Sequence, residues 1–196
     1  MSKRIFDLLL CIISLVITLP FYLFIYLGIK IDDKGKIFYT QSRVGLNGKE
    51  FSIIKFRTMK THQEFASSIT IKDDPRITRF GKLLRRYKID EWPTIFNVIK
   101  SEMSFVGPRP ESPNYVKFYN KQQLEVLKVK PGITDPATIL FNEEADLLVN
   151  VTDSESVYRK DIMPRKLKIN LDYIQNQTLL TDVKIILDTI LLITSK

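Results

Sequence analysis

Asp90 and Glu91 stand side by side between two sources of positive charge. Arg79, Lys82, Arg85, Arg86 and Lys88 precede them, and Arg109 follows in the segment Pro108-Arg109-Pro110. Carboxylates among cations suit phosphoryl transfer, which needs a nucleophile in line with phosphorus, cations on the phosphoryl oxygens, and commonly Mg²⁺ bridging phosphates to one or two carboxylates. Asp90 and Glu91 can supply nucleophile and metal ligand together. An acidic pair at a helix start is also ordinary capping, worth about 1 kcal/mol. The neighbouring cations set this pair apart. Pro108 and Pro110 fix their own φ, and Pro110 also pushes Arg109 into an extended conformation, so the guanidinium sits on a stiff loop. Two rival acidic clusters, Asp73-Asp74 and Glu143-Glu144-Asp146, lack comparable cations and read as solvated.

Composition removes other chemistries. His62 is the only histidine and Cys11 the only cysteine, which excludes Ser-His-Asp and Cys-His catalysis, multi-histidine metal sites and a disulfide framework. A formal net charge of +8 points to an anionic partner. It does not choose among nucleic acid, anionic lipid and phosphorylated metabolites.

The elements that must position the acidic pair follow from periodicity. Residues 36–60 alternate apolar and polar around Gly45-Leu46-Asn47-Gly48 and predict a β-hairpin, with Lys55, Arg57 and Lys60 on a solvated edge. Thr78 caps a helix with Phe80, Leu83, Leu84 and Tyr87 on one face. Residues 91–99 predict another helix with Asp90 at or near its N-cap and Pro93 in the first turn, aiming backbone N–H groups at a growing phosphate charge. Asn120 and Gln123 resemble a capping box, and a further helix starts near Pro164 and runs towards Gln175. In the last segment, 182–192, Val183, Ile186, Leu187, Ile190 and Leu191 form one stripe, read as core in preference to a membrane interface.

The N-terminus is a membrane segment by length. No charge occurs in the 22 positions from Leu8 to Ile29, which at about 1.5 Å per residue reach roughly across a bilayer core. Pro20 near its middle predicts a kink or break. Lys3 and Arg4 lie before the segment, and Lys30, Lys34, Lys36, Arg43 and Lys49 follow, so both flanks favour the cytoplasm. A kinked helix could still cross, but a re-entrant helix-break-helix satisfies both flanks.

Seven ordered blocks carry a family resemblance: Lys30-Ile31-Asp32, Gln41-Ser42-Arg43-Val44-Gly45, Lys55-Phe56-Arg57-Thr58-Met59, Asp74-Pro75-Arg76-Ile77-Thr78, Asp90-Glu91, Met103 through Pro110, and Lys130-Pro131-Gly132-Ile133-Thr134. Together they resemble the bacterial sugar transferases of the monotopic phosphoglycosyl transferase superfamily. The resemblance implies an α+β, mostly helical fold. Residues 1–30 would form the re-entrant membrane helix broken at Pro20. Residues 31–196 would form a cytoplasmic-face catalytic domain with a β-hairpin and amphipathic interfacial helices. It further implies Mg²⁺ and ping-pong transfer of a sugar 1-phosphate from a UDP-sugar to polyprenyl phosphate at the bacterial inner membrane. Asp90 would be the nucleophile and Glu91 its partner at the metal. Arg85 would be a phosphate contact, and Arg109 between Pro108 and Pro110 part of nucleotide or phosphate binding. One departure is Asp135-Pro136-Ala137-Thr138, where many members have Gly, then an aromatic or aliphatic residue, then Ala-Gln. That region bears on the sugar.

Two other function classes compete. A membrane-tethered basic module would bind nucleic acid or anionic lipid, but it leaves Asp90-Glu91 unexplained, so no nucleic-acid partner is expected. A metal-dependent membrane phosphohydrolase would use the same carboxylates with water as acceptor.

Overall fold

A computed structural model of the chain describes residues 2–60, 74–141 and 153–195. Helix α1, Ser2–Asp32, is one helix with Pro20 inside it. The expected helix-break-helix is therefore not seen as an interruption. Proline removes one backbone hydrogen bond, whereas leaving helix over several apolar residues would orphan many more.

A single stripe of α1 faces the rest of the chain. Asp7, Cys11, Ile25 and Ile29 are buried, and Leu15 and Tyr22 pack beside them. The other faces carry Ile12, Ile13, Val16, Ile17, Leu19, Leu23 and Phe24, all more than half exposed. Only 11% of the helix's most apolar window is buried.

Both ends of α1 are tied down. Near the N-terminus Lys3 pairs with Asp182 at 2.5 Å, and Arg4 donates to the carbonyls of Val98 and Ile99 at 2.6 and 2.9 Å. At the other end Asp32 accepts the Phe80 amide at 2.7 Å, and Asp33 pairs with Arg57.

The predicted hairpin is present as β1 (Phe38–Val44) and β2 (Glu50–Phe56), antiparallel, with Arg43 opposite Phe51, Gln41 opposite Ile53 and Tyr39 opposite Lys55. Side chains alternate along a strand, so these six share one face. Thr78 caps α2 (Arg79–Arg86) by accepting from the Gly81 amide. Leu84 on α2 is buried, but Leu83 and Tyr87, expected beside it, are exposed. A 3₁₀ turn, Ile89–Thr94, leads into α3 (Ile95–Ile99).

Strands β3 (Ser104–Val106) and β4 (Gly132–Thr134) pair in parallel. A Cβ on Gly132 would lie 2.2 Å from the Gly107 nitrogen. Only glycine allows this approach, which sets the start of the Pro108-Arg109-Pro110 loop.

The remaining helices are α4 (Pro113–Val116), α5 (Pro136–Leu140), α6 (Ser154–Val157), α7 (Met163–Gln175) and α8 (Leu179–Thr194). A π-helical turn, Tyr158–Ile162, joins α6 to α7. Asn120 and Gln123 form the reciprocal capping box, but it opens a 3₁₀ turn, Gln123–Lys128. The core expectation for the last helix holds only in part: Asp182 and Ile185 are buried and Ile186 packs beside them, while Val183, Leu187, Ile190 and Leu191 face outward.

Candidate active site

The wall of the site is the hairpin face bearing Arg43, Ile53 and Lys55. Its register against the acidic pair is fixed by α3. Buried Asn97 accepts the Ile54 amide at 3.0 Å and donates to the Ser52 carbonyl at 2.8 Å and to Glu102 at 2.7 Å. Thr94 donates to the Ile54 carbonyl at 3.1 Å. These bonds fix the strand at Ser52 and Ile54, immediately before Lys55, and bring Lys55 to Glu91.

Glu91 Oε1 accepts from Lys55 Nζ at 2.6 Å and from Arg109 Nη2 at 2.7 Å. The acidic pair and the Pro108-Arg109-Pro110 loop are therefore brought together as expected. Pro108 and Pro110 are buried, and Pro110 lines the same cavity as Lys55, Glu91 and Arg109. Arg85 donates through Nε to the Thr58 hydroxyl at 2.8 Å, and its charge acts on Asp90. Pro20 sits on the exposed part of α1.

Asp90 is not a helix cap. Lys88, in the left-handed region at φ 55°, precedes the 3₁₀ turn, and Asp90 is that turn's second residue. Pro93 disfavours α geometry at Trp92, which tightens the turn. The short turn offers little dipole, so side-chain cations carry the electrostatics.

The two carboxyls are driven apart. Burial pushes Asp90 up from the usual carboxylate range and the neighbouring Glu91 charge adds to that, against the pull of Lys55, Arg85 and Lys88. Glu91 is buried as well, but Arg109, Lys55 and Lys88 outweigh that cost and hold it well below the ordinary range. Burial in turn lowers Lys55 and Lys88, with Glu91 opposing in each. Glu91 is thus the fixed anion, and Asp90 is the group whose charge state responds to what enters.

Asp90 Oδ1 is buried with no hydrogen-bond partner among the described residues. An orphaned buried oxygen is costly and calls for an explanation. A divalent cation fits it. The described residues hold no cluster of three or more His, Cys, Asp or Glu, so such an ion would rest on Asp90 and Glu91 together with phosphate oxygens, the pattern typical of Mg²⁺.

Several contributors escaped the sequence reading. Lys55 and Arg57 are not a solvated edge: their side chains are 18% and 8% exposed, paired to Glu91 and Asp33. Hairpin alternation could have found Lys55, because it shares a face with Arg43. Asp74 is also not solvated, being buried against Arg76 at 2.5 Å. Asp73, Glu143, Glu144 and Asp146 lie outside the described residues.

Comparison with known proteins bears on this arrangement. The chain is 37% identical over 194 residues to the UDP-glucose:undecaprenyl-phosphate glucose-1-phosphate transferase of Xanthomonas campestris pv. campestris, an alignment covering 96% of this chain and 38% of that protein. It is 35% identical to the undecaprenyl-phosphate glucose phosphotransferase of Komagataeibacter xylinus, covering 97% of this chain and 35% of that one. Against the exopolysaccharide production protein ExoY of Sinorhizobium fredii (strain NBRC 101917 / NGR234) it is 31% identical, covering 96% and 84%. The chain thus spans little more than a third of the first two relatives and most of the third. The family model described as bacterial sugar transferase matches residues 1–196, and the chain belongs to that family.

Proposed function

We propose that this chain transfers a sugar 1-phosphate from a UDP-sugar to polyprenyl phosphate and releases UMP. The observation that carries the reading is Glu91, held as an anion by Lys55 and Arg109 on one oxygen, beside an Asp90 oxygen without a partner. Two relatives, both undecaprenyl-phosphate glucose transferases, support the acceptor class.

In the proposed first step an Asp90 carboxylate oxygen attacks the phosphorus that carries the sugar. The bond from that phosphorus to the bridging oxygen breaks, and UMP leaves with the electron pair. In the second step an oxygen of polyprenyl phosphate attacks the same phosphorus and Asp90 departs as a carboxylate. Lys55, Arg85 and Arg109 orient the phosphates and hold charge that shifts between them. Mg²⁺, when bound at Asp90 and Glu91, would screen phosphate charge.

Membrane placement follows the same reading. Residues 1–30 form the membrane segment and 31–196 the catalytic unit. Since Lys3, Arg4 and Asp7 at one end of α1 and Ile25, Ile29 and Asp32 at the other dock on the same body, both ends belong on one side of the bilayer. Basic flanks make that side the cytoplasm, at the bacterial inner membrane. The outward stripe of α8, with Leu187 at 55% and Leu191 at 66% exposure, lies on the lipid surface as an interfacial helix.

The deciding experiment incubates the purified chain with Mg²⁺ and a panel of UDP-sugars, with and without polyprenyl phosphate. Donor alone should release at most one equivalent of UMP and leave a sugar-phosphate mass on the peptide containing Asp90. Acceptor should restore turnover. Free sugar phosphate released into water would make the protein a hydrolase, and absence of turnover with every donor would remove the transferase reading.

A further inference from the structure

Arg43 lines the same cavity as Lys55, Glu91, Thr94, Arg109 and Pro110. It lies on the hairpin face that carries Lys55, and its guanidinium is firmly positioned. Nη2 donates to Gln41 Oε1 at 2.8 Å and Nη1 to Glu111 Oε1 at 3.3 Å. Glu111 is fixed in turn: its Oε1 accepts the Ser112 amide at 2.8 Å, its backbone carbonyl accepts the Val44 amide at 2.9 Å, and its Oε2 accepts the hydroxyl of buried Tyr158. Tyr158 opens the π-helical turn. Such turns are rare and frequently found at functional sites.

Three elements, β1, the loop at Glu111 and the π-helical turn at Tyr158, converge to hold one guanidinium at a cavity already rich in cations. Arg43 and Arg109 lie close enough for each to act on the other's charge. Like charges placed together in a cavity favour an anion between them. Arg43 and Arg109 line this cavity, whereas Asp90 and Arg85 do not. Arg43 therefore addresses a different part of the ligand from the phosphorus that Asp90 attacks. Two of the five N–H donors of an arginine are engaged by Gln41 and Glu111, which leaves donors for a phosphate.

We infer that Arg43 and Arg109 form a two-guanidinium clamp on the phosphate of the departing nucleotide, with Glu111 and Tyr158 as positioning residues for Arg43. The inference rests on the transferase reading and adds to it the leaving-group subsite. It separates the two half-reactions through Arg43, which acts while nucleotide is bound and has no part once UMP has left, whereas Arg109, paired to Glu91, serves both.

The test uses the full chain in lipid nanodiscs. Equilibrium dialysis with labelled UMP measures the subsite without turnover. Arg43→Gln should weaken UMP binding at least tenfold and raise the donor KM by a similar factor. Transfer from preformed Asp90 adduct to polyprenyl phosphate should stay within about twofold of wild type. Arg43→Lys, which keeps charge but loses the planar fork, should fall between. Tyr158→Phe retains packing and should weaken UMP binding a few-fold, and the Arg43→Gln, Tyr158→Phe double variant should be no worse than Arg43→Gln alone. Unchanged UMP affinity in a folded Arg43→Gln protein would overturn the clamp, as would equal slowing of both half-reactions. Failure of the wild type to turn over any donor would instead sink the transferase reading.

Discussion

Asp7 of the apolar helix α1 accepts the hydroxyl of Ser104 at 3.0 Å, and the same oxygen accepts the Phe105 amide at 3.1 Å. Ser104 begins the strand that leads, five residues on, to Arg109. The apolar helix α1 and the strand leading to the Pro108-Arg109-Pro110 loop are thus joined through one buried carboxylate. Asp7→Ala leaves a buried hydroxyl and a backbone amide without their acceptor, and should destabilise the folded domain by about 1–3 kcal/mol. Asp7→Asn keeps an oxygen acceptor and should recover most of the loss. Thermal unfolding of the two variants in detergent checks this, and equal damage from both would show that the negative charge, rather than the acceptor, is what matters.

Asn97 makes the analogous connection between α3 and the hairpin. Its side chain is fully buried and uses both amide groups on β2. Asn97→Ala should cost about 2–4 kcal/mol, because it orphans the Ile54 amide and the Ser52 carbonyl and leaves a cavity. Asn97→Asp retains the acceptor but turns a buried carboxyl against Glu102 and the Ser52 carbonyl, so it should be at least as damaging as Asn97→Ala. Activity measured well below the variants' unfolding temperatures should drop as well, since the Lys55 register depends on this contact.

Elements set by local periodicity were legible in the sequence: the hairpin around Gly45 to Gly48, the Thr78 cap, and the helix from Met163 to Gln175. Charge and proline spacing single out the Asp90-Glu91 pair and Arg109 as candidates, and their roles come only from the family resemblance. What could not be read depended on partners far apart in the chain. Lys55 looks like an edge lysine until the hairpin folds over a residue 36 positions away. Asp74 is a local miss: Arg76, two residues on, closes on it. The apolar stripe of α8 is ambiguous for a different reason. Periodicity gives a stripe but not its solvent, and only the burial of Asp182 by Lys3 and Tyr173 shows which face turns inward.

Cysteines introduced at Ser2 and at Asn47 should report the same side of the membrane. Cys11, the native thiol, is buried between α1, Val98 and Met103 and should stay protected. In intact spheroplasts a membrane-impermeant maleimide should label neither introduced cysteine, and after permeabilisation it should label both. Labelling of the Ser2 variant alone in intact cells would mean that α1 crosses the bilayer.

Asp90→Asn should make the protein more stable at neutral pH while removing its activity. Asp90 has its folded pKa raised, so its charge opposes folding. That penalty is fully present above the folded pKa and absent below the unfolded value of about 3.9. Relief of that penalty should appear as a raised Tm. The gain should shrink as pH is lowered towards 4. A gain that persisted unchanged in acid would show that burial of the charge was not its source.

The rate of UMP release should carry the same signature from the other side. Only ionised Asp90 can attack phosphorus, so the first half-reaction should fall on acidification with a midpoint above the ordinary carboxylate range. Neighbouring charges set that midpoint. Lys55→Met removes a cation that favours the ionised form, and should shift the acid limb to higher pH while lowering kcat/KM by about a hundredfold, the order expected for losing a buried charge-assisted contact. Glu91→Gln removes the neighbouring negative charge, and should shift the limb to lower pH even as phosphate and metal binding weaken. Pre-steady-state UMP release between pH 5 and 8 measures both shifts. Movement of both limbs in the same direction would separate Asp90 from the titrating group, because no single carboxyl can respond alike to the loss of a nearby cation and of a nearby anion.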